Sequence, residues 1–208
     1  MEENLLESLK NASWEVALKT YGNDHSTLIG LIVSWWVLSK RNRFALEGGP
    51  SFGYRKRGEG RGNCDALLLE GDEAKGVVEV ENWDNYQKVI NKIGKFFTPE
   101  YEELKSLEFG ILLVYPIGPS GRGNNRRVPE PPADLVDYAK GLTSNSNHPS
   151  KTLILLILEK KFERIMSGTR RRNPYYQCTP QKIEGYLIKD GKIIKQETLA
   201  QRMRNKNA

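Results

Sequence analysis

The sequence predicts an α/β fold with a central mixed β-sheet flanked by helices, and three observations predict it. Two continuous apolar runs of strand length, Phe109 to Tyr115 and Thr152 to Leu158, have the composition of central strands covered on both faces. Stretches with apolar residues at helical spacing alternate with strand-like runs. The chain has 208 residues and is 38% hydrophobic, enough for one well-developed core. A single domain over 1–208 is therefore expected, with its core at about 24–160.

In chain order, Leu5, Leu6, Leu9, Trp14, Ala17 and Leu18 predict one amphipathic helix that stops at Tyr21-Gly22-Asn23-Asp24. A second helix runs to about Lys40, with Asp24 or Ser26 accepting hydrogen bonds from the free amides of its first turn. It is apolar on nearly every side, the mark of a core helix, and Trp35 and Trp36 read as core residues. Phe44 to Leu46 is a short strand, after which Gly48, Gly49, Pro50, Gly53, Gly58, Gly60 and Gly62 break regular structure. Cys64 to Glu70 and Lys75 to Glu81 are strand-like runs joined by Gly71-Asp72-Glu73-Ala74, which predicts a hairpin.

Asn82 or Asp84 caps a helix over roughly 84–97, whose buried stripe is Tyr86, Val89, Ile90, Ile93 and Phe97 and whose opposite face carries Lys88, Lys92 and Lys95. After Phe109–Tyr115, the prolines, glycines and arginines of about 116–132 predict a long flexible loop. The strand Thr152–Leu158 leads into a short helix through Ile165 and a basic loop from Gly168 to Pro174. Asp190-Gly191 centres a C-terminal hairpin at about 182–196, and the polar tail from Arg202 is expected to fray.

Lysine plus arginine exceed aspartate plus glutamate by 32 to 26, a formal charge of +6 that favours polyanionic partners. The positive charge gathers in turn-like segments: Arg55, Lys56, Arg57 and Arg61; Arg122, Arg126 and Arg127; Arg170, Arg171 and Arg172, the last beside Tyr175 and Tyr176. Two cysteines, Cys64 and Cys178, lie in no metal-like spacing, and no secretory leader precedes them, so a reducing cytoplasm is expected rather than a disulfide framework. The longest apolar stretch, Leu28 to Leu38, falls short of the roughly 20 residues a bilayer span needs, so no membrane partner is expected. No P-loop or dinucleotide fingerprint follows a strand, which argues against nucleoside-triphosphate chemistry.

The hairpin carries acids where apolar residues suit a core. Asp65 opens its first strand, while Glu79 and Glu81 close its second, so antiparallel pairing brings all three to one end. Glu79 and Glu81 share a face and leave Val78 and Val80 to pack on the other. Asp65 joins them only if an odd loop or a bulge pairs Glu70 with Gly76, which sets Asp65 opposite Glu81; an even turn sets it opposite Val80. Crowded carboxylates repel unless a cation joins them, and oxygen-only ligation suits Mg²⁺ or Mn²⁺.

A core helix, a strand, a loop, Asp65 on a strand, Glu79-Val80-Glu81 on the next and an immediate helix together resemble the PD-(D/E)XK, or restriction-endonuclease-like, superfamily over about residues 24–115. The resemblance implies metal-dependent cleavage of DNA phosphodiester bonds, with Asp65, Glu79 and the backbone carbonyl of Val80 as ligands. Glu81 stands where the family usually has lysine, as in its E-x-E variants, and would bind metal or accept the water proton. A lysine moved to the following helix makes Lys88 the candidate to orient the nucleophile or stabilise charge, with Gln87 beside it. His25 sits near the place of the core-helix glutamate, and Glu47 is a further candidate ligand. Arg55, Lys56, Arg57 and Arg61, on the loop into Asp65, and Arg170, Arg171 and Arg172 would hold phosphates, giving salt-sensitive and weakly sequence-selective affinity. A homodimer is compatible with cutting both strands of a duplex. The alternative is a DNA- or RNA-binding protein of the same fold that has lost turnover along with its lysine.

Overall fold

The computed structural model describes residues 3–19, 25–47, 64–83, 86–97, 107–116, 132–144, 151–165 and 175–202. Its elements are α1 (Glu3–Leu9), α2 (Trp14–Lys19), α3 (His25–Ser39), β1 (Arg43–Glu47), β2 (Ala66–Glu70), β3 (Glu73–Asn82), α4 (Tyr86–Gly94, prolonged by a 3₁₀ turn Lys95–Phe97), β4 (Phe109–Tyr115), α5 (Leu135–Ser144), β5 (Thr152–Ile165), β6 (Tyr175–Lys189) and β7 (Lys192–Gln201). The strands form one mixed sheet in sequence order, β1 to β7. Pairing is antiparallel from β1 to β3, parallel across β3, β4 and β5, and antiparallel from β5 to β7. The α/β class is as the sequence predicts.

The parallel centre dictates the layers. Each step from β3 to β4 and from β4 to β5 needs a crossover, and two crossovers of the same hand stepping in the same direction put their helices on the same face. Accordingly α4 and α5 share one core with Leu67, Val77, Leu112, Val114, Leu153, Leu155 and Ile157. The alternate residues, among them Ala66, Leu68, Val78, Val80, Ile111, Leu113, Ile154 and Leu156, face α1, α2 and α3 on the other side. Trp36 fastens α3 to the sheet: its indole N–H donates to the Leu69 carbonyl at 2.9 Å, and its ring packs on Phe109. Among the described residues no helix is long and apolar enough to cross a membrane.

Gly76 lies where β3 meets β4, paired with Phe109. A Cβ there would sit 2.5 Å from the Phe109 ring, which is itself wedged against Trp36. Gly76→Val is therefore expected to destabilise the fold by about 1–3 kcal/mol through overpacking, read as a lower urea or thermal midpoint. An unchanged midpoint would contradict that packing.

Four elements differ from the sequence expectation. The first helix is two: α1 ends at Leu9, whose carbonyl accepts the buried Trp14 indole N–H at 2.6 Å, and the chain turns before α2. Residues 159–165 continue β5 instead of forming a helix, because β6 pairs with them throughout, across a bulge at Glu159/Lys160. Helix α5 has no counterpart in the sequence expectation, although Leu135, Ala139 and Leu142 stand at helical spacing. The core helix α3 buries Leu28, Ile32, Trp35 and Trp36 but leaves Leu38 exposed, so it is not enclosed on every side. The C-terminal hairpin is as expected and longer, with Asp190 at φ 49° and Gly191 at φ 72°, the pair of positive φ values a type I′ turn requires.

Candidate metal centre

The site forms where β2 begins and β3 ends. The Asp65 amide donates to the Val78 carbonyl at 3.0 Å, and its carboxylate Oδ2 accepts the Val80 amide at 2.7 Å. Regular β2 begins only at Ala66, so the side chain of Asp65 satisfies an amide that a strand carbonyl would otherwise take. Its other oxygen, Oδ1, lies 3.4 Å from His25 Nε2 at the start of α3.

A bulge sets the faces. The hairpin turns through Gly71-Asp72 with Glu70 opposite Glu73 and Leu69 opposite Ala74, yet Leu68 pairs with Gly76, leaving Lys75 as the extra residue. Ala66 then pairs with Val78, and the same register carries Asp65 beside Glu79. Without the bulge Asp65 would stand beside Val78, on the α3 side. The required odd residue is thus present, but the expected pairing of Glu70 with Gly76 is corrected to Glu73, and the neighbour of Asp65 is Glu79 rather than Glu81.

Glu79 projects from β3 toward the α4 layer and is 1% exposed. Burial, reinforced by the Asp65 charge, pushes its carboxyl up to about 8; the Lys92 ammonium opposes this and Glu81 adds to it. Lys92 Nζ lies 3.3 Å from Glu79 Oε2. Burial pulls that ammonium down, but the Glu79 and Asp65 carboxylates outweigh it and hold Lys92 above the ordinary lysine range. Next to them, burial and the Glu79 charge push the Cys64 thiol up to about 12, so Cys64 is a protonated, inert thiol.

Among the other expected residues, Glu81 turns aside: its Oε1 accepts the backbone amide and side-chain N–H of Asn82, at 3.2 and 2.8 Å. Lys88 and Gln87 are exposed. It is Lys92, one turn beyond Lys88, that reaches Glu79. The two lysines stand four residues apart and share one side of α4; what separates them is position along the axis, since α4 runs back over the sheet from the end of β3 and its later turns lie over Glu79. Distance along the helix from the end of β3 is thus the signal in the sequence that favours Lys92. The side chain of Glu47 lies outside the described residues, as do Arg55, Lys56, Arg57, Arg61, Arg122, Arg126, Arg127, Arg170, Arg171 and Arg172 and the side chains of Tyr175 and Tyr176.

Among the described residues no group of three or more His, Cys, Asp and Glu side chains is gathered tightly enough to hold a metal ion. The available set is two carboxylates, Asp65 and Glu79. That set fits a hard dication, because Mg²⁺ binds through one or two carboxylates and completes its octahedron with water and substrate oxygens. A buried carboxylate whose charged form is disfavoured by a second one is a place where added positive charge is favourable. Comparison with protein-family models, with curated proteins and with solved structures found no match.

Proposed function

We propose that this chain is a divalent-metal-dependent nuclease of the restriction-endonuclease-like kind that hydrolyses DNA phosphodiester bonds. The observation that carries this reading is a single one: buried Glu79, beside Asp65, faces Lys92 from the helix that follows its strand. The order α3, β1, β2, β3, α4, β4 supports it, since the acids fall on β2's start and β3's end as the resemblance implies.

Asp65 and Glu79 would hold the ion, Mg²⁺ or Mn²⁺, which when bound polarises a phosphoryl oxygen and acidifies a water. Each protein group has a part that follows from its surroundings. The Val80 amide fixes the Asp65 carboxylate, so this ligand is oriented before anything binds. The Glu79 carboxyl gives up its proton when positive charge enters. The Lys92 ammonium, held beside it, stabilises negative charge that builds on the scissile phosphate. Glu81, whose Oε1 is held by Asn82, would have to turn from that contact to accept a proton from water.

The test is to incubate the purified protein with duplex, branched and single-stranded DNA in Mg²⁺ or Mn²⁺ and in EDTA. Cleavage that needs the ion is expected. Retention of DNA with no cleavage of any substrate from pH 6 to 9 would replace the nuclease with the inactive binding protein that the Glu81 substitution suggests.

A further inference from the structure

The sheet has two edges, β1 and β7, and they are protected unequally. Strand β7 carries Lys192, Lys195 and Glu197 along its length, and the ion pairs Lys10–Glu197 and Lys195–Glu7 tie α1 to it. Its exposed Ile193 and Ile194 are consecutive, so they point to opposite faces and make no patch. Charge of this kind discourages pairing with another chain. Strand β1 has no such guard at its centre, which is Phe44, Ala45 and Leu46. It pairs with β2 without a bulge, and among the described residues no strand pairs with its outer side.

Backbone and side chains of β1 are both set out for a partner. The Gly71 amide donates to the Asn42 carbonyl at 2.8 Å, and alternate residues of an antiparallel strand face the same neighbour, so Phe44 and Leu46 turn their backbone groups to β2. Arg43, Ala45 and Glu47 turn theirs outward. The Lys40 carbonyl takes the Arg43 amide at 3.2 Å, which leaves the Arg43 carbonyl, the Ala45 amide and carbonyl and the Glu47 amide directed away from the sheet. The Phe44 and Leu46 side chains stand beside Leu69 and Leu67 on the α4 side, yet they are 55% and 50% exposed.

We infer that β1 is a dimer edge: a second copy of this chain pairs antiparallel with it about a two-fold axis at Ala45, joining two seven-stranded sheets into one. The strand is complementary to itself in that register. Ala45 exchanges both hydrogen bonds with its counterpart, and each Glu47 amide reaches the other copy's Arg43 carbonyl, so every outward group finds a partner. Phe44 of each copy meets Leu46 of the other as a non-hydrogen-bonded pair, where side chains approach most closely. The same register sets a basic residue, Arg43, against an acidic one, Glu47, at both ends of the pairing. The axis stands perpendicular to the sheet, so both copies keep their α4 layers, and both Asp65–Glu79 pairs, on one face of the joined sheet. The interface does not depend on the proposed function; together with it, one face presents two sites to the two strands of a duplex.

The experiment is sedimentation velocity of the full chain in EDTA and without DNA, over about a 100-fold range of concentration reaching well above micromolar. The wild type is expected to dimerise with a micromolar dissociation constant, as a small interface does. Phe44→Glu/Leu46→Glu sets like charges against each other at both cross-strand pairs and should weaken the dimer at least about 10-fold. Phe44→Glu/Leu46→Lys sets opposite charges there and should recover most of that loss at low salt and forfeit it at about 1 M salt. Ala45→Pro removes an outward amide and no bond to β2, and should leave a monomer. Circular dichroism checks that each variant is folded; both positions of the charge variants are half exposed, so they keep the fold even where the proline does not. A wild type that is monomeric at every concentration overturns the interface, and shows that this edge is left open or is covered by other residues of the chain. A dimer that neither charge variant weakens, or that both weaken equally at low salt, overturns this pairing. A dimer that never cuts DNA removes only the nuclease, while a monomer that cuts removes only the interface.

Discussion

Glu79→Gln is expected to abolish metal-dependent cleavage, by at least about 100-fold, and at the same time to stabilise the metal-free protein above pH 7. The two effects share a cause. Glu79 is nearly sealed from water and sits beside Asp65, so its charged form is costly in the absence of a cation, and its carboxyl titrates near about 8 instead of the ordinary 4.5. Between those values the folded chain keeps a proton that the unfolded chain releases. The stability this group contributes is therefore complete below about pH 4.5 and is lost as pH rises through about 8.

The loss is on the order of a few kcal/mol. Lys92 is partly exposed, so leaving it unpaired in the glutamine variant offsets only a little of the gain. Urea unfolding at pH 5 and pH 8.5 reads the effect: this component of the pH slope should vanish in Glu79→Gln. Mg²⁺ should raise the midpoint of the wild type at pH 8.5 and leave that of the variant unchanged, since an ion that binds only the folded state stabilises it. Equal pH slopes in the two proteins, or cleavage that survives the substitution, would remove Glu79 from the centre of the site.

What the sequence made legible was whatever a short window decides. Phe109–Tyr115 and the start of β5 are apolar without interruption because both faces are covered, and at seven residues such runs are of strand length and short for a helix. Asp190-Gly191 specifies its own turn. The meeting of Asp65 with the β3 acids followed from antiparallel pairing alone. Their register did not, because it depends on Lys75 being pushed out of the ladder; that is settled by burial of Val77 and Val78 against two different cores and not by any residue near the turn. Residues 158–165 carry Leu158, Phe162 and Ile165 at helical spacing, and only the partner strand, ten or more residues downstream, overrides that pattern. The choice between Lys88 and Lys92 was hidden for a related reason: both occupy the polar side of one amphipathic helix, and only their positions along its axis, over β3, separate them.

That choice supplies the second large effect. Lys92→Met, which keeps an unbranched stem and removes the ammonium, is expected to lower cleavage about 100-fold or more, while Lys88→Ala stays within about threefold of the wild type. Lys92 can act in two ways, and Mg²⁺ dependence separates them. If the ammonium only eases the Glu79 carboxyl toward its charged form, its removal makes that carboxyl harder to ionise, and high Mg²⁺ or higher pH should restore the rate. If it stabilises charge on the phosphate in the transition state, the rate stays low at saturating Mg²⁺ and duplex affinity is unchanged. The second outcome is expected, because the ammonium is held above the ordinary lysine range and remains charged across the pH range of cleavage, with nearly half of its side chain open to solvent and hence to a substrate. The reverse pattern, a large loss in Lys88→Ala and none in Lys92→Met, would mean that the 3.3 Å contact with Glu79 holds the helix in place without serving the chemistry.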